Sequence, residues 1–181
     1  MKRELLLLCL CTAMASAQTQ PTADGVYLQN GNHLDKLYVA STSGVRSSGA
    51  AKVAFSYGIA SIKVVLEYRD ATAPVKTSLA RPIFHVLGNM STAPRDIVIV
   101  HLQQKKDHRE LQTAKANAYS GMKMEYSPAD VTEVDVMDSE KERIITPKAD
   151  LKPGEYIIFT GSPSPMPSGY GGYDFSVVTS K

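Results

Sequence analysis

The chain has 181 residues, the size of one ordinary domain. Hydrophobic residues make up 43% and charged residues 21%, globular proportions that exclude a disordered chain, a collagen-like repeat and a coiled coil. Lys and Arg number 20 against 18 Asp and Glu, and a net charge of +2 is too small for a nucleic-acid partner, which demands a concentrated basic face.

The N-terminus has three parts. Met1-Lys2-Arg3-Glu4 is a basic start, Leu5 to Cys11 is a short apolar run, and Ala15-Ser16-Ala17 ends it with small side chains. These are the parts of a secretory signal peptide, and cleavage is expected between Ala17 and Gln18. Residues 18–181 then form a single domain. A membrane anchor is the rival reading, but the run falls short of the roughly 20 residues that span a bilayer. Lipoprotein processing at Cys9 or Cys11 is another, but neither follows the small residues it requires. Both cysteines lie in this segment, so the mature chain is expected to hold no disulfide, no Cys-ligated zinc and no thiol nucleophile. Export without cysteines suits a bacterial envelope protein, periplasmic or secreted, better than a eukaryotic secreted one. No later stretch is long and apolar enough to span a membrane.

The remainder alternates at the period of strands. Gly25 to Gln29 and Asn32 to Val39 flank Asn30-Gly31, which predicts a hairpin with a type I′ turn over those two residues. Val53, Phe55 and Tyr57 recur at every second position. Ile62, Val64 and Leu66 alternate with Lys63 and Glu67, a strand with one wet face. Pro82 opens the strand Ile83 to Leu87. Asn89 to Pro94 is a turn, and Asn89-Met90-Ser91 would be a glycosylation sequon in a eukaryotic pathway. Ile97 to Leu102 is the most apolar β-branched run and the expected central strand.

Lys105 to Leu111 reads as a strand end, a loop or a helical turn, and residues 110–118 as a strand or one short helix. Met122, Met124 and Tyr126 alternate. Val131 to Val136 and Glu142 to Pro147 are further strands. Lys152-Pro153-Gly154 is a turn that launches Glu155 to Phe159. Residues 161–172 form a Gly/Ser/Pro loop, and Tyr173 to Val178 closes the fold. The expected fold is all-β, an antiparallel β-sandwich, with a flattened β-barrel as the alternative.

Catalytic signatures are missing. There is no Gly-x-Ser-x-Gly elbow, P-loop, Rossmann fingerprint or His-Glu-x-x-His. Gly169 to Tyr173 is Gly-rich but precedes a strand, so it lacks the helix terminus that cradles phosphate. His33, His85, His101 and His108 are not at close ligand spacing. If His85 and His101 lay on facing positions of neighbouring strands, with Asp107 or Glu110 near, a zinc or copper site would follow. Otherwise they are ordinary strand histidines. Lys105 to Glu110 binds an anionic polymer or is a charged strand edge that blocks aggregation. Asp130, Glu133, Asp135, Asp138, Glu140 and Glu142 form a scattered acidic stretch without the order of a calcium loop. Tyr156 and Phe175 are expected in the core, and Tyr170 is the best exposed aromatic contact. Lys105, Lys106, Arg109, Tyr170 and Tyr173 are the candidate partner surface. No catalytic, cofactor or metal residue is assigned.

Ala80-Arg81-Pro82-Ile83-Phe84, His108-Arg109-Glu110-Leu111, Thr146-Pro147, Leu151 to Tyr156 and Tyr173-Asp174-Phe175 together give a pattern spread over residues 80–175. The pattern resembles a group of uncharacterised secreted bacterial β-rich proteins. The resemblance implies an exported β-rich domain, with no activity and no catalytic residue to carry over. The expected role is a non-enzymatic envelope protein that binds another envelope protein or a glycan. A carbohydrate-binding module using Tyr170 and Tyr173, and a metal-dependent hydrolase using His85, His101 and His108, are the rivals.

Overall fold

The Ile97 to Leu102 run is apolar at every position but one because both of its faces are covered. In the computed structural model, which describes residues 23–49, 54–55, 60–88, 97–119, 121–124, 126–139, 141–160 and 172–179, it lies in the middle of the larger of two sheets. The described residues form fourteen strands: β1 (Gly25–Asn30), β2 (His33–Lys36), β3 (Thr42–Ser48), β4 (Ile62–Arg69), β5 (Lys76–Thr77), β6 (Phe84–Leu87), β7 (Val98–Gln104), β8 (His108–Asn117), β9 (Gly121–Met124), β10 (Val131–Thr132), β11 (Val134–Asp138), β12 (Glu142–Pro147), β13 (Gly154–Phe159) and β14 (Tyr173–Val177). The smaller sheet runs β11-β12-β6-β1-β2. The larger runs β3-β4-β8-β7-β13-β14-β5, with β10 added to β7 and β9 to β8. Among the described residues only β14 and β5 pair in parallel. The two sheets pack together without closing into a barrel, so the sandwich expectation holds and the barrel alternative does not.

Two cores result. The first lies between the sheets. Val26, Leu28, Phe84, Val86 and Ile145 of the smaller sheet meet Ile99, Tyr156, Ile158, Phe175 and Val177 of the larger. Phe84 meets Phe175 edge-on at 4.8 Å, and Phe175 stacks on Tyr156 at 5.5 Å, so both expected core aromatics are core. The second core covers the other face of β7 and β13. There Val100, Leu102, Ile157 and Phe159 pack on Leu66, Tyr68 and Leu111. Only Gln103–Glu110 and Gln104–Arg109 pair β7 with β8. Beyond this hairpin the two strands part, and β4 and β8 fold over the sheet they came from.

Several expectations need correction. The hairpin turn is Gly31-Asn32, one residue later than expected, because Asn30 pairs with His33. Gly31 alone of the two has a positive φ, 61°, which suits a type II′ turn rather than type I′. Ala54 and Phe55 belong to no strand, and Phe55 is exposed. Val53, Tyr57 and the Asn89 to Pro94 turn lie outside the described residues. Residues 110–117 are strand rather than helix, since β8 is buried on both faces and pairs on both edges. A bulge leaves Thr113 unopposed, as Val64 pairs with Ala114 and Val65 with Gln112. The extra residue lies in β8, so β4 keeps its phase: Leu66 is buried as expected, Tyr68 is buried on the same face, Ile62 and Val64 are half-buried, and Val65 is buried on the other face. The run Val131 to Val136 divides at Glu133, with β10 in one sheet and β11 in the other.

One charged network anchors the folded-over half. Arg109 of β8 is only 2% exposed. Its Nη2 lies 2.7 Å from Asp174 Oδ2 and donates to the Arg69 carbonyl at 2.9 Å. Its Nε donates to the Asp70 carbonyl at 3.0 Å, and Nη1 lies 3.7 Å from Glu155 Oε2. Glu155 accepts from the Ser176 hydroxyl at 2.8 Å and from the Ala73 N–H at 2.7 Å. Arg109 therefore cannot belong to a partner surface with Lys105 and Lys106, which are exposed. Removing one member of a buried ion pair strands the others without compensation. Arg109→Met should lower stability by about 3–5 kcal/mol in urea unfolding. Arg81→Ala, which breaks the exposed Arg81–Asp150 pair, should cost less than about 1 kcal/mol. Equal costs would contradict this reading.

Candidate functional site

The antiparallel register of β7 and β13 sets His101 opposite Tyr156. Their rings meet edge-on at 5.1 Å. The His101 N–H donates to the Asp130 carbonyl at 2.8 Å, which ties the chain before β10 to β7. The Tyr156 hydroxyl donates to the Lys152 carbonyl at 2.7 Å, closing the turn ahead of β13. With Ala129, Thr132, Asp150 and Leu151 these residues line a cavity of about 340 Å³. That volume lies at the lower end of small-ligand sites. Gly154 makes room for the histidine, since a Cβ there would sit 2.7 Å from His101 Nε2. Burial raises the Tyr156 phenol pKa. The walls offer an ammonium, a hydroxyl, an imidazole, two carboxylates and aromatic edges. Such a set offers both donors and acceptors of hydrogen bonds.

A second polar cluster lies at the turn end of the β7–β8 hairpin. His108 Nδ1 is 2.7 Å from Asp107 Oδ1, and Nε2 is 3.3 Å from Glu110 Oε1. Hydrogen bonds to Asp107 and then Glu110 raise the His108 pKa. The bond to His108 holds the Asp107 carboxyl below its ordinary range. Burial pushes Glu110 up, but bonds to His108 and Lys105 and the charges of Lys105 and Arg46 outweigh it, so its net shift is downward.

The histidine pairing raised as a metal site does not form. Phe84 and Val86 face the first core, so His85 lies on the outer face of the smaller sheet. Its ring nitrogens are engaged at 3.0 Å by Glu142 and by Gln29. His101 lies in the cleft instead, and His108 is the histidine that meets Glu67 and Glu110. The acidic stretch is dispersed among partners: Glu133 pairs with Lys148, Asp138 with Arg143, and Glu142 with His85. Glu140, Tyr170, Ala17 and Gln18 lie outside the described residues. Tyr173 packs half-buried against the first core. Sequence reasoning missed Asp130, Thr132 and Lys152 as cleft residues, because nothing local marks them. It also missed Glu67, whose role depends on register. No family model, curated protein or solved structure matches the chain.

Gly154→Ala should push the His101 ring off Tyr156 and cost about 1–3 kcal/mol. The change would be read from the His101 ring shifts in NMR and from urea unfolding, and unaltered shifts would contradict the packing. A second outcome concerns alkaline pH. Burial pushes Tyr126 up to about 12, and it also raises Tyr68 and Tyr156. In the native state these phenols keep their protons while the unfolded phenols lose them, so stability is full below about pH 10 and falls as pH rises through the native values. Phenolate absorbance should therefore still be growing above about pH 11 in the native protein and collapse to one transition near pH 10 in denaturant.

Proposed function

We propose that the protein is an exported bacterial envelope component that binds a ligand without transforming it, and that the cleft at His101 and Tyr156 is its binding site. The cleft carries this reading. It is concave, it has the volume of a small-ligand site, and it mixes ring edges with hydrogen-bonding groups of both signs. Its histidine is packed on a tyrosine ring, in the manner of a wall. An envelope glycan fragment suits this lining, since hydroxyls need both donors and acceptors, which Lys152, Thr132, Asp130 and Asp150 offer. Export is supported by the basic, apolar and small-residue segments before Gln18, by the absence of cysteine after them, and by the resemblance to secreted bacterial β-rich proteins.

The test titrates the purified protein with a panel of envelope oligosaccharides and follows the ring resonances of His101 and Tyr156. One or more sugars should shift both, and Lys152→Ala should weaken that binding about tenfold or more, as expected for losing a charge-assisted hydrogen bond. Hydrolysis of a bound sugar, or binding that leaves the cleft resonances unmoved, would overturn the proposal.

A further inference from the structure

The register of β4 against β8 places Glu67 directly opposite Glu110. Like charges opposed on neighbouring strands repel, so this pair requires a cation. His108 stands two residues before Glu110 and so shares its face. One ligand atom from each of the three lies within 4.8 Å of the others. His108 Nε2 and Glu110 Oε1 are 3.3 Å apart. That matches the separation of about 3.3–3.4 Å between two ligands on a tetrahedral zinc at about 2.0–2.1 Å.

The other face of the imidazole points the same way. Asp107 Oδ1 lies 2.7 Å from His108 Nδ1. A carboxylate on the far nitrogen of a ligating histidine holds a proton there and orients the ring, and a metal entering at Nε2 takes the place of the proton that Nε2 shares with Glu110. In the structure the cation is Arg46, from the edge strand β3. It pairs with Glu67 at 2.8 Å and with Glu110, and its side chain is 53% exposed. Lys105 adds a weaker contact to Glu110 at 3.4 Å. Two separate, part-exposed side chains, Arg46 and Lys105, neutralise the two carboxylates, whereas a single divalent ion neutralises both at once. An exposed Arg on an edge strand is free to turn out to solvent.

We infer that Glu67, His108 and Glu110 form a binding site for a zinc-type divalent cation, which displaces Arg46 when it enters. One imidazole among two carboxylates favours zinc over magnesium, which prefers oxygen alone. A water completes the tetrahedron. Asp107 acts as a positioning residue through His108. This site is separate from the cleft, so the two proposals fail independently.

The experiment is calorimetric titration of chelator-treated, tag-free protein with Zn²⁺, alongside NMR of the histidine rings. One equivalent should bind, and the His108 ring should respond while His85 and His101 do not. His108→Ala and Glu67→Gln should each weaken binding at least tenfold. Asp107→Ala should weaken it about 10–100-fold, as outer partners of ligating histidines do. Arg46→Ala, which removes the competing cation, should tighten it. Mg²⁺ at equal concentration should give no heat. Failure of Zn²⁺ to bind both the native protein and Arg46→Ala would overturn the inference. So would Zn²⁺ binding that leaves the His108 resonances unmoved, a readout in the native chain that does not depend on any variant folding.

Discussion

A guanidinium leaves water only where acceptors replace it, and Arg109 is held by the Asp174 carboxylate and the carbonyls of Arg69 and Asp70, with the Glu155 carboxylate as an ion-pair partner 3.7 Å from Nη1. They come from three separate segments of the chain. Asp174 and Glu155 lie on β14 and β13, the Arg69 carbonyl ends β4, and Arg109 itself starts β8. Two carboxylates face one guanidinium, and the excess negative charge is met by the Ser176 hydroxyl and the Ala73 N–H. This set of contacts holds the β3–β4–β8 half of the larger sheet over the face of β7 and β13. Without it, Leu66, Tyr68 and Leu111 would have no fixed partner for their apolar faces, since β7 and β8 are joined over so short a hairpin. Asp70 has a φ of 64°, the left-handed conformation that Asp tolerates better than most residues. The reversal there falls where the chain leaves β4 beneath Arg109.

The same arrangement separates the two polar sites. Residues alternate along β8, so Arg109 turns inward while His108 and Glu110 turn to the opposite face with Glu67. The hairpin that buries the arginine thereby turns His108 and Glu110 to the face where β4 sets Glu67. Across the sheet, β7 continues back to His101, where Gly154 and the Lys152 turn leave room for the cleft. One site is charged and partly open, and the other is a shaped cavity with mixed polarity. Both are held by strands and their immediate turns, which give their side chains defined positions.

Much of this fold is legible in the residues. Ile97 to Leu102 announces a strand buried on two faces, and Tyr156 and Phe175 announce the core through their strand spacing. What escapes sequence reading shares one cause: it depends on which strand lies beside which. The Thr113 bulge shifts the register of β8 against β4, and no local signal marks it. Glu133 sits inside a run that reads as one strand, yet the chain changes sheets there. The polar block Lys105 to Glu110 looks uniform, but it contains an exposed lysine pair, a buried arginine and two thirds of a ligand set. His108-Arg109-Glu110 hints at that division by its strand period, whereas Glu67 joins it only through the β4–β8 register.

The dependence of the second core on Arg109 is tested most directly by native-state amide hydrogen exchange in Asp174→Asn, which keeps the shape of the side chain and removes its charge. Loss of protection should concentrate in β3, β4 and β8 and at the Ala73 N–H, while β1, β6 and β12 of the smaller sheet retain theirs. Protection that falls evenly over both sheets, or does not change, would contradict the role given to this network.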